Sequence, residues 1–369
     1  MKKDSYSTII DFGSNKLRLG VFDEKLSNLF FQSKDICQKN NYEEYTNSLH
    51  FLIREAENKI STHLENITVL YDTSETLTID LSIKKKLDQK IIFKEVCSSI
   101  ILEANQLIED CYINKKIIHA IVNKYIINDE EFLNIPKKIP EINSVIIEIK
   151  FICIPNKKYE NILEIFKKNN LKIINFFLTS LVKSFKYLDL FNESNFTAFL
   201  DIGLERSTLI LFINKKLHFL NSVPIGGIHV SKDISHVMKL SFDESENLKR
   251  TFNKSEIDFT YEESKDEDNV DLIKKIIEKN ISISTLKQVV LARVEEIIEL
   301  VFRGLSFAKN DRNREDLNLV LIGNGSLLFN KNSFQLEDKY NFKEINFYEE
   351  NDIEICGAGI IFEKIYKNE

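Results

Sequence analysis

A chain of 369 residues, 43% of them apolar and 29% charged, has the material for one large or two ordinary globular domains. A net charge of −7 leaves no basic surplus to neutralise phosphates along a nucleic acid, which excludes that class of binder. Five cysteines without a C-x-x-C pair or a Cys/His cluster at metal spacing exclude a disulfide scaffold and a zinc fold.

The opening "MKKDSYSTII" lacks the apolar core of a signal peptide, and no apolar run reaches transmembrane length. A cytoplasmic protein that meets a membrane only peripherally is expected. "YSTIIDFGSNKLRLGVFD" then reads as strand, tight turn at Gly13 to Lys16, and strand. "LSNLFFQSKDI" supplies a third strand, and residues 43–61 place Leu49, Leu52, Ile53, Ala56 and Ile60 on one helical stripe. "NITVLYD" is a further strand, so the opening unit is α/β with a mixed sheet.

Residues 83–160 change character. A helix, "FKEVCSSIILEANQLIEDCYI", precedes two β-rich runs, "KIIHAIVNKYIIND" and "SVIIEIKFICIP", separated by Pro136 and Pro140. That block is expected to be an inserted subdomain, after which "NKKYENILEIFKKNNLKIINFF" returns to helix and strand. From Phe196 the opening pattern recurs as "FTAFLDIG", "RSTLILFIN" and "KLHFLNSVPIGG", followed by helices. A motif used twice predicts an internal duplication, two like domains with a cleft between them. The acidic stretch at 254–269 reads as a solvated loop, "STLKQVVLARVEEIIELVFRGL" as a long amphipathic helix, "LNLVLIGNGS" as a strand meeting a turn, and "IEICGAGIIFEKIYK" as a last helix.

The chain holds only 10 glycines, and three near-pairs (Gly226 with Gly227, Gly323 with Gly325, Gly357 with Gly359) account for most of them. Each is therefore expected to answer a backbone need. Asp-x-Gly closing a strand has a definite use: the carboxylate can hold Mg²⁺ through water, and the glycine lets following N–H groups approach phosphate oxygens. One copy is weak, since Asp-x-Gly is common in turns; two copies in a duplicated unit, at Asp11 and Asp201, are stronger. Gly323 and Gly325 could lie against a base or ribose, or form an ordinary β-to-α turn. Glu246 and Lys249, one turn apart, could share a ligand or simply form a surface ion pair. His218 and His229 read as structural.

In this order, "IIDFGSNKLRLGVFD", "FLDIGLERSTLILFINKKLHF", "SVPIGGIHVSKDI", "FDESENLK", "ARVEEIIELV", "LVLIGNGSLL" and "GAGI" resemble the actin-like ATPase superfamily. Within it, the sequence is most similar to the FtsA family of bacterial cell-division proteins. The resemblance implies an actin-like, duplicated ribonuclease-H-like two-domain α/β fold carrying an inserted α+β subdomain. Its first domain core would take 1–82, 161–195 and 346–369, its insert 83–160, and its second domain 196–345, with about 230–306 as a helical subdomain. It further implies ATP and Mg²⁺ as ligands. Asp11 and Asp201 would position Mg²⁺ and the attacking water, and Gly13, Ser14, Asn15, Lys16, Gly203, Arg206 and Ser207 would cradle the phosphates. Gly226 and Gly227 join the nucleotide site, and Glu246, Lys249, Gly323, Gly325 and Ser326 would hold the adenosine.

The implied work is that of a filament-forming scaffold at the division site, on the cytoplasmic face of the inner membrane. It would bind the FtsZ C-terminal peptide, itself, and other division proteins through 83–160. Two departures from the family pattern shape these expectations. Leu204 and Glu205 stand where two glycines are usual in the second phosphate loop, and with Arg206 they put side chains where bare backbone N–H groups are usual, which predicts weak or absent hydrolysis. "IFEKIYKNE" is too short for an amphipathic membrane helix, which predicts an indirect attachment or a separate anchor subunit. A pilus-assembly adaptor, a small-molecule kinase or a chaperone-like ATPase on the same fold are the alternatives.

Overall fold

The computed structural model describes residues 6–36, 42–87, 93–136, 142–191, 194–254, 282–303, 305, 317–328, 342–348 and 350–366. Cys37 and the acidic stretch from 255 on lie outside the described residues. The chain divides into two compact units, the first comprising Met1–Phe196, Ile210–Asn221 and Asn351–Glu369, the second Thr197–Leu209 and Ser222–Glu350.

In the first unit, β1 (Tyr6–Phe12) and β2 (Lys16–Asp23) form the expected antiparallel hairpin, with Asp11 opposite Arg18. β3 (Asn28–Asp35) extends it, while β4 (Asn66–Tyr71) and β9 (Lys172–Leu178) add in parallel, giving the order β3-β2-β1-β4-β9. β1 and β2 are apolar on both faces because helices cover both. Ile10, Leu19 and Val69 pack with residues of α1 (Tyr42–Ile60) and α3 (Asn156–Lys168), among them Leu49, Leu52 and Phe166. Their alternates Ile9 and Leu70 lie beneath Gly359 of α8 (Asp352–Tyr366). Helix α4 (Thr179–Leu188) packs beside α8, joined to it by a Lys186–Glu354 ion pair.

A second sheet of this unit, in the order β5-β8-β6-β7, is antiparallel throughout: β5 is Leu77–Lys86, β6 Lys115–Ile127, β7 Glu130–Phe132 and β8 Ser144–Pro155. Helix α2 (Phe93–Cys111) buries Val96, Ile100 and Ala104 against Val145, Ile147 and Ile149. β5 was not among the expected strands, although Ile79, Leu81 and Ile83 alternate with Asp80, Ser82 and Lys84 as one-sided strands do. β6 and β7 meet at Asn128 and Asp129, both left-handed, the conformation a two-residue hairpin turn requires.

The other five-stranded sheet repeats the first. β10 (Phe196–Ile202), β11 (Ser207–Ile213), β12 (Lys216–Val223), β13 (Leu317–Ile322) and β14 (Glu344–Phe347) lie in the order β12-β11-β10-β13-β14. Position for position this matches β3-β2-β1-β4-β9, so the duplication read from the two Asp-x-Gly hairpins extends to the whole sheet. The second unit adds α5 (Gly227–Met238), α6 (Phe242–Lys254) and α7 (Ile283–Phe302). Arg293 of α7 grips Asp233 of α5 through two hydrogen bonds of 2.6 and 2.8 Å. Among the described residues no helix is long and apolar enough to cross a membrane.

Candidate functional site

The first hairpin turns at Gly13, whose N–H donates to the Lys16 carbonyl at 3.0 Å. Ser14 and Asn15 stand exposed at its tip. Antiparallel register sets Asp11 and Arg18 directly across from one another, and Arg18 Nη1 donates to Asp11 Oδ2 at 2.6 Å. Thr179 Oγ1 donates to the other oxygen, Asp11 Oδ1, at 3.1 Å. Arg18 Nε and Lys16 Nζ donate to the two oxygens of Asp352, at 2.6 and 3.0 Å. Asp352 opens α8, where a carboxylate also suits the positive end of the helix dipole. Two cations and two carboxylates thus balance within one cluster. Burial alone would raise the Asp352 pKa, but Arg18 and Lys16 beside it hold it below the usual carboxylate range. Burial works against the Arg18 charge too, and Asp11 and Asp352 more than offset it.

The second hairpin makes the same turn, Gly203 N–H to Arg206 carbonyl at 2.9 Å. Asp201, only 2% exposed, is the next-to-last residue of β10. Arg206 Nη1 and Nη2 each approach Asp201 Oδ2 to 3.4 Å, and Nη1 donates to Thr208 Oγ1 at 2.9 Å. The double glycine packs onto this loop. A Cβ on Gly226 would lie 2.5 Å from the Gly203 carbonyl oxygen and 2.8 Å from the Arg206 nitrogen, so only glycine fits. Gly227 N–H donates to the Gly203 carbonyl (3.0 Å), Ile228 N–H to the Leu204 carbonyl (2.8 Å), and Gly226 N–H to His229 Nδ1 (3.1 Å). Burial, followed by Lys232, lowers the His229 pKa, which keeps the ring neutral and able to accept.

Gly323 adopts a left-handed φ of 83°, and a Cβ there would meet Asp201 Oδ1 at 2.5 Å. Ser207 is fully buried and donates to the Ile225 carbonyl at 2.7 Å. Beyond the double glycine, Lys249 Nζ donates to the Gly227 carbonyl (3.0 Å) and to Glu246 Oε2 (2.7 Å). Ser231 and Arg250 also donate to Glu246. Burial opposes the Glu246 charge, yet these three donors bring its pKa below normal, whereas burial lowers that of Lys249.

The second unit therefore gathers Asp201, Gly203, Arg206, Ser207, Gly226, Gly227, Gly323 and Gly325 around one loop, with Glu246 and Lys249 linked through Gly227; Ser326 follows, buried. The first unit gathers Asp11, Gly13, Ser14, Asn15 and Lys16. Several expected roles need correction. The N–H groups of Gly13, Gly203, Gly226 and Gly227 and the hydroxyl of Ser207 have partners within the protein, so they build the loops rather than face a phosphate. Thr179, Arg18 and Asp352 were not anticipated. Arg18 could have been found from hairpin register, whereas Asp352 lies 334 residues away and gave no local signal.

Taken unit by unit, the donor chemistry suits phosphate: exposed Ser14 and Asn15 stand beside Lys16 in the first unit, and Arg206 stands in the turn after Gly203 in the second. It does not suit Mg²⁺. The side chains of Asp11 and Asp201, expected to hold the ion, are 5% and 3% exposed and are each ion-paired to an arginine. A hydrated divalent ion needs an oxygen it can reach and would sit against a guanidinium of like charge.

The family model of cell division protein FtsA matches residues 198–330. FtsA of Bacillus subtilis is 26% identical over 204 residues, which cover 54% of this chain and 45% of that protein. FtsA of Streptococcus pneumoniae is 30% identical over 132 residues, covering 35% of this chain and 27% of that one. The chain thus spans less than half the length of these relatives. Among solved structures, the PilM–PilN type IV pilus biogenesis complex aligns with a TM-score of 0.63 at 13% identity, over 97% of this chain and 95% of that one. MreB5 of Spiroplasma citri bound to AMPPNP aligns with a TM-score of 0.51 at 11% identity, over 99% and 98%. The mixed α/β fold is actin-like, and in sequence the chain is similar to FtsA.

Proposed function

We propose that this protein is an actin-like scaffold of bacterial cell division of the FtsA kind, one that binds ATP and hydrolyses it slowly or not at all. The observation that carries the reading is a doubly used Asp-x-Gly hairpin on matched five-stranded sheets, the second copy inside the segment similar to FtsA. Ser14, Asn15, Lys16 and Arg206 would receive the phosphates, and Glu246, Lys249, Gly323 and Gly325 would border the nucleoside. Asp11 and Asp201 would act by holding arginines in place. Glu205 and the side chains around it make a poor cradle for developing negative charge, which favours a structural use of ATP. The β5-β8-β6-β7 block with α2 is the candidate contact surface for other copies and other division proteins. The site of action would be the division septum, on the cytoplasmic face of the inner membrane.

A second reading is a pilus-assembly adaptor, favoured by the near-complete overlap with the PilM–PilN complex. A pull-down against two immobilised baits separates them: the FtsZ C-terminal peptide and a PilN-type protein. Retention on the first alone supports the division scaffold. Retention on the second alone transfers the assignment to pilus assembly.

A further inference from the structure

Resting on the nucleotide reading above, we infer that Tyr45 is a positioning residue for phosphate, one that sets the first hairpin turn so that the backbone N–H groups of Ser14 and Asn15 meet the anion. Tyr45 stands near the start of α1, buried, with its ring stacked on Phe12 at a centroid distance of 4.5 Å. From there its hydroxyl reaches the turn, 3.2 Å from the Gly13 carbonyl and 3.2 Å from the Ser14 carbonyl, and shares its one proton between them. The next carbonyl, that of Asn15, accepts the Ile36 N–H at 2.9 Å.

A trans peptide unit points its C=O and N–H to opposite sides, and among the described residues no peptide bond is cis. Drawing the Gly13 and Ser14 carbonyls toward Tyr45 therefore turns the N–H groups of Ser14 and Asn15 the other way. Both residues are exposed, and neither N–H has an acceptor among the described residues. Successive N–H groups turned to one side make a concave donor set for an anion. Burial, then Glu44 and Tyr42, pushes the Tyr45 phenol up to about 12, so the hydroxyl keeps its proton and its role as donor. The second hairpin meets the same demand with different groups. Its corresponding carbonyls, those of Gly203 and Leu204, accept the N–H groups of Gly227 and Ile228 at 3.0 and 2.8 Å. A phenol holds one turn and the start of a helix holds the other, yet in both the first two carbonyls are drawn inward.

The test compares Tyr45→Phe with the unaltered protein, by calorimetric titration with ATP and by the amide resonances of Ser14 and Asn15. Phenylalanine keeps the stack on Phe12 and removes only the hydroxyl, so the core stays filled. The expected result is a loss of about three- to tenfold in ATP affinity, the scale of one hydrogen bond. ATP should shift both amide resonances in the unaltered protein and shift them less in Tyr45→Phe, whose remaining resonances stay in place. ATP binding that leaves the two amides unmoved, or undiminished binding by Tyr45→Phe, overturns the inference and leaves the nucleotide reading standing. Resonances changed throughout Tyr45→Phe would assign the residue to the core instead of the turn. No ATP binding by the unaltered protein overturns both.

Discussion

His119 sits on β6, 1% exposed, its ring stacked on Phe177 and edge-on to Phe362, with Nε2 accepting the Leu178 N–H at 3.0 Å. An acceptor at Nε2 means that the neutral ring carries its proton on Nδ1. Burial pushes its pKa down to about 3. The unfolded chain takes up that proton near pH 6.5 and the native state does not, so stability is intact above pH 6.5 and falls as pH drops from 6.5 toward 3. For one such group the loss approaches about 1.4 kcal/mol per pH unit. His119→Leu should lower stability at pH 7.5 by about 1–3 kcal/mol, because the Leu178 amide loses its acceptor. It should also flatten the decline between pH 6.5 and 5, read as urea midpoints at each pH. An unchanged decline would mean that the histidine is not the group being titrated. That role was not legible in the sequence, where "KIIHAIV" shows only a histidine in a strand. Asp11 and Asp201 were legible as special positions, and Arg18 and Arg206 lie on the same hairpins within reach of register reasoning, whereas Thr179, 168 residues from Asp11, left no trace in the strand's own spelling.

At the scale of elements, the double glycine is the clearest case of a local signal with a different cause from the one expected. Sparing use of glycine marked the position, and the contact it serves is loop against helix N-terminus. The two glycines are not equivalent. A methyl group on Gly226 would strike backbone at 2.5 Å, whereas on Gly227 its nearest neighbour is Lys249 Nζ at 3.6 Å. Gly226→Ala should therefore cost about 1–3 kcal/mol through forced displacement of the loop, and weaken ATP binding with it. Gly227→Ala should be neutral or slightly stabilising, since alanine favours the first turn of a helix. Equal effects of the two substitutions in denaturant unfolding would refute this packing. Other elements were readable in proportion to their periodicity. The hairpins, α1, α2 and α7 followed directly, while β5 and the short β14 escaped: β5 is one-sided and edge-placed, and β14 has four residues.

For the whole molecule, the shared order of β3-β2-β1-β4-β9 and β12-β11-β10-β13-β14 connects the sequence motif to a fold and the fold to a proposed task. The motif repeat sufficed to predict the duplication because each copy begins with a hairpin, the most local of sheet structures. A scaffold for division must ride on FtsZ polymers, and the direct measurement is co-sedimentation with FtsZ assembled by GTP. The account predicts that the protein pellets with FtsZ in proportion to polymer. It should stay in the supernatant when FtsZ is unassembled or lacks its C-terminal peptide. A protein that remains soluble beside intact FtsZ polymers, with ATP present, would contradict the assignment to division.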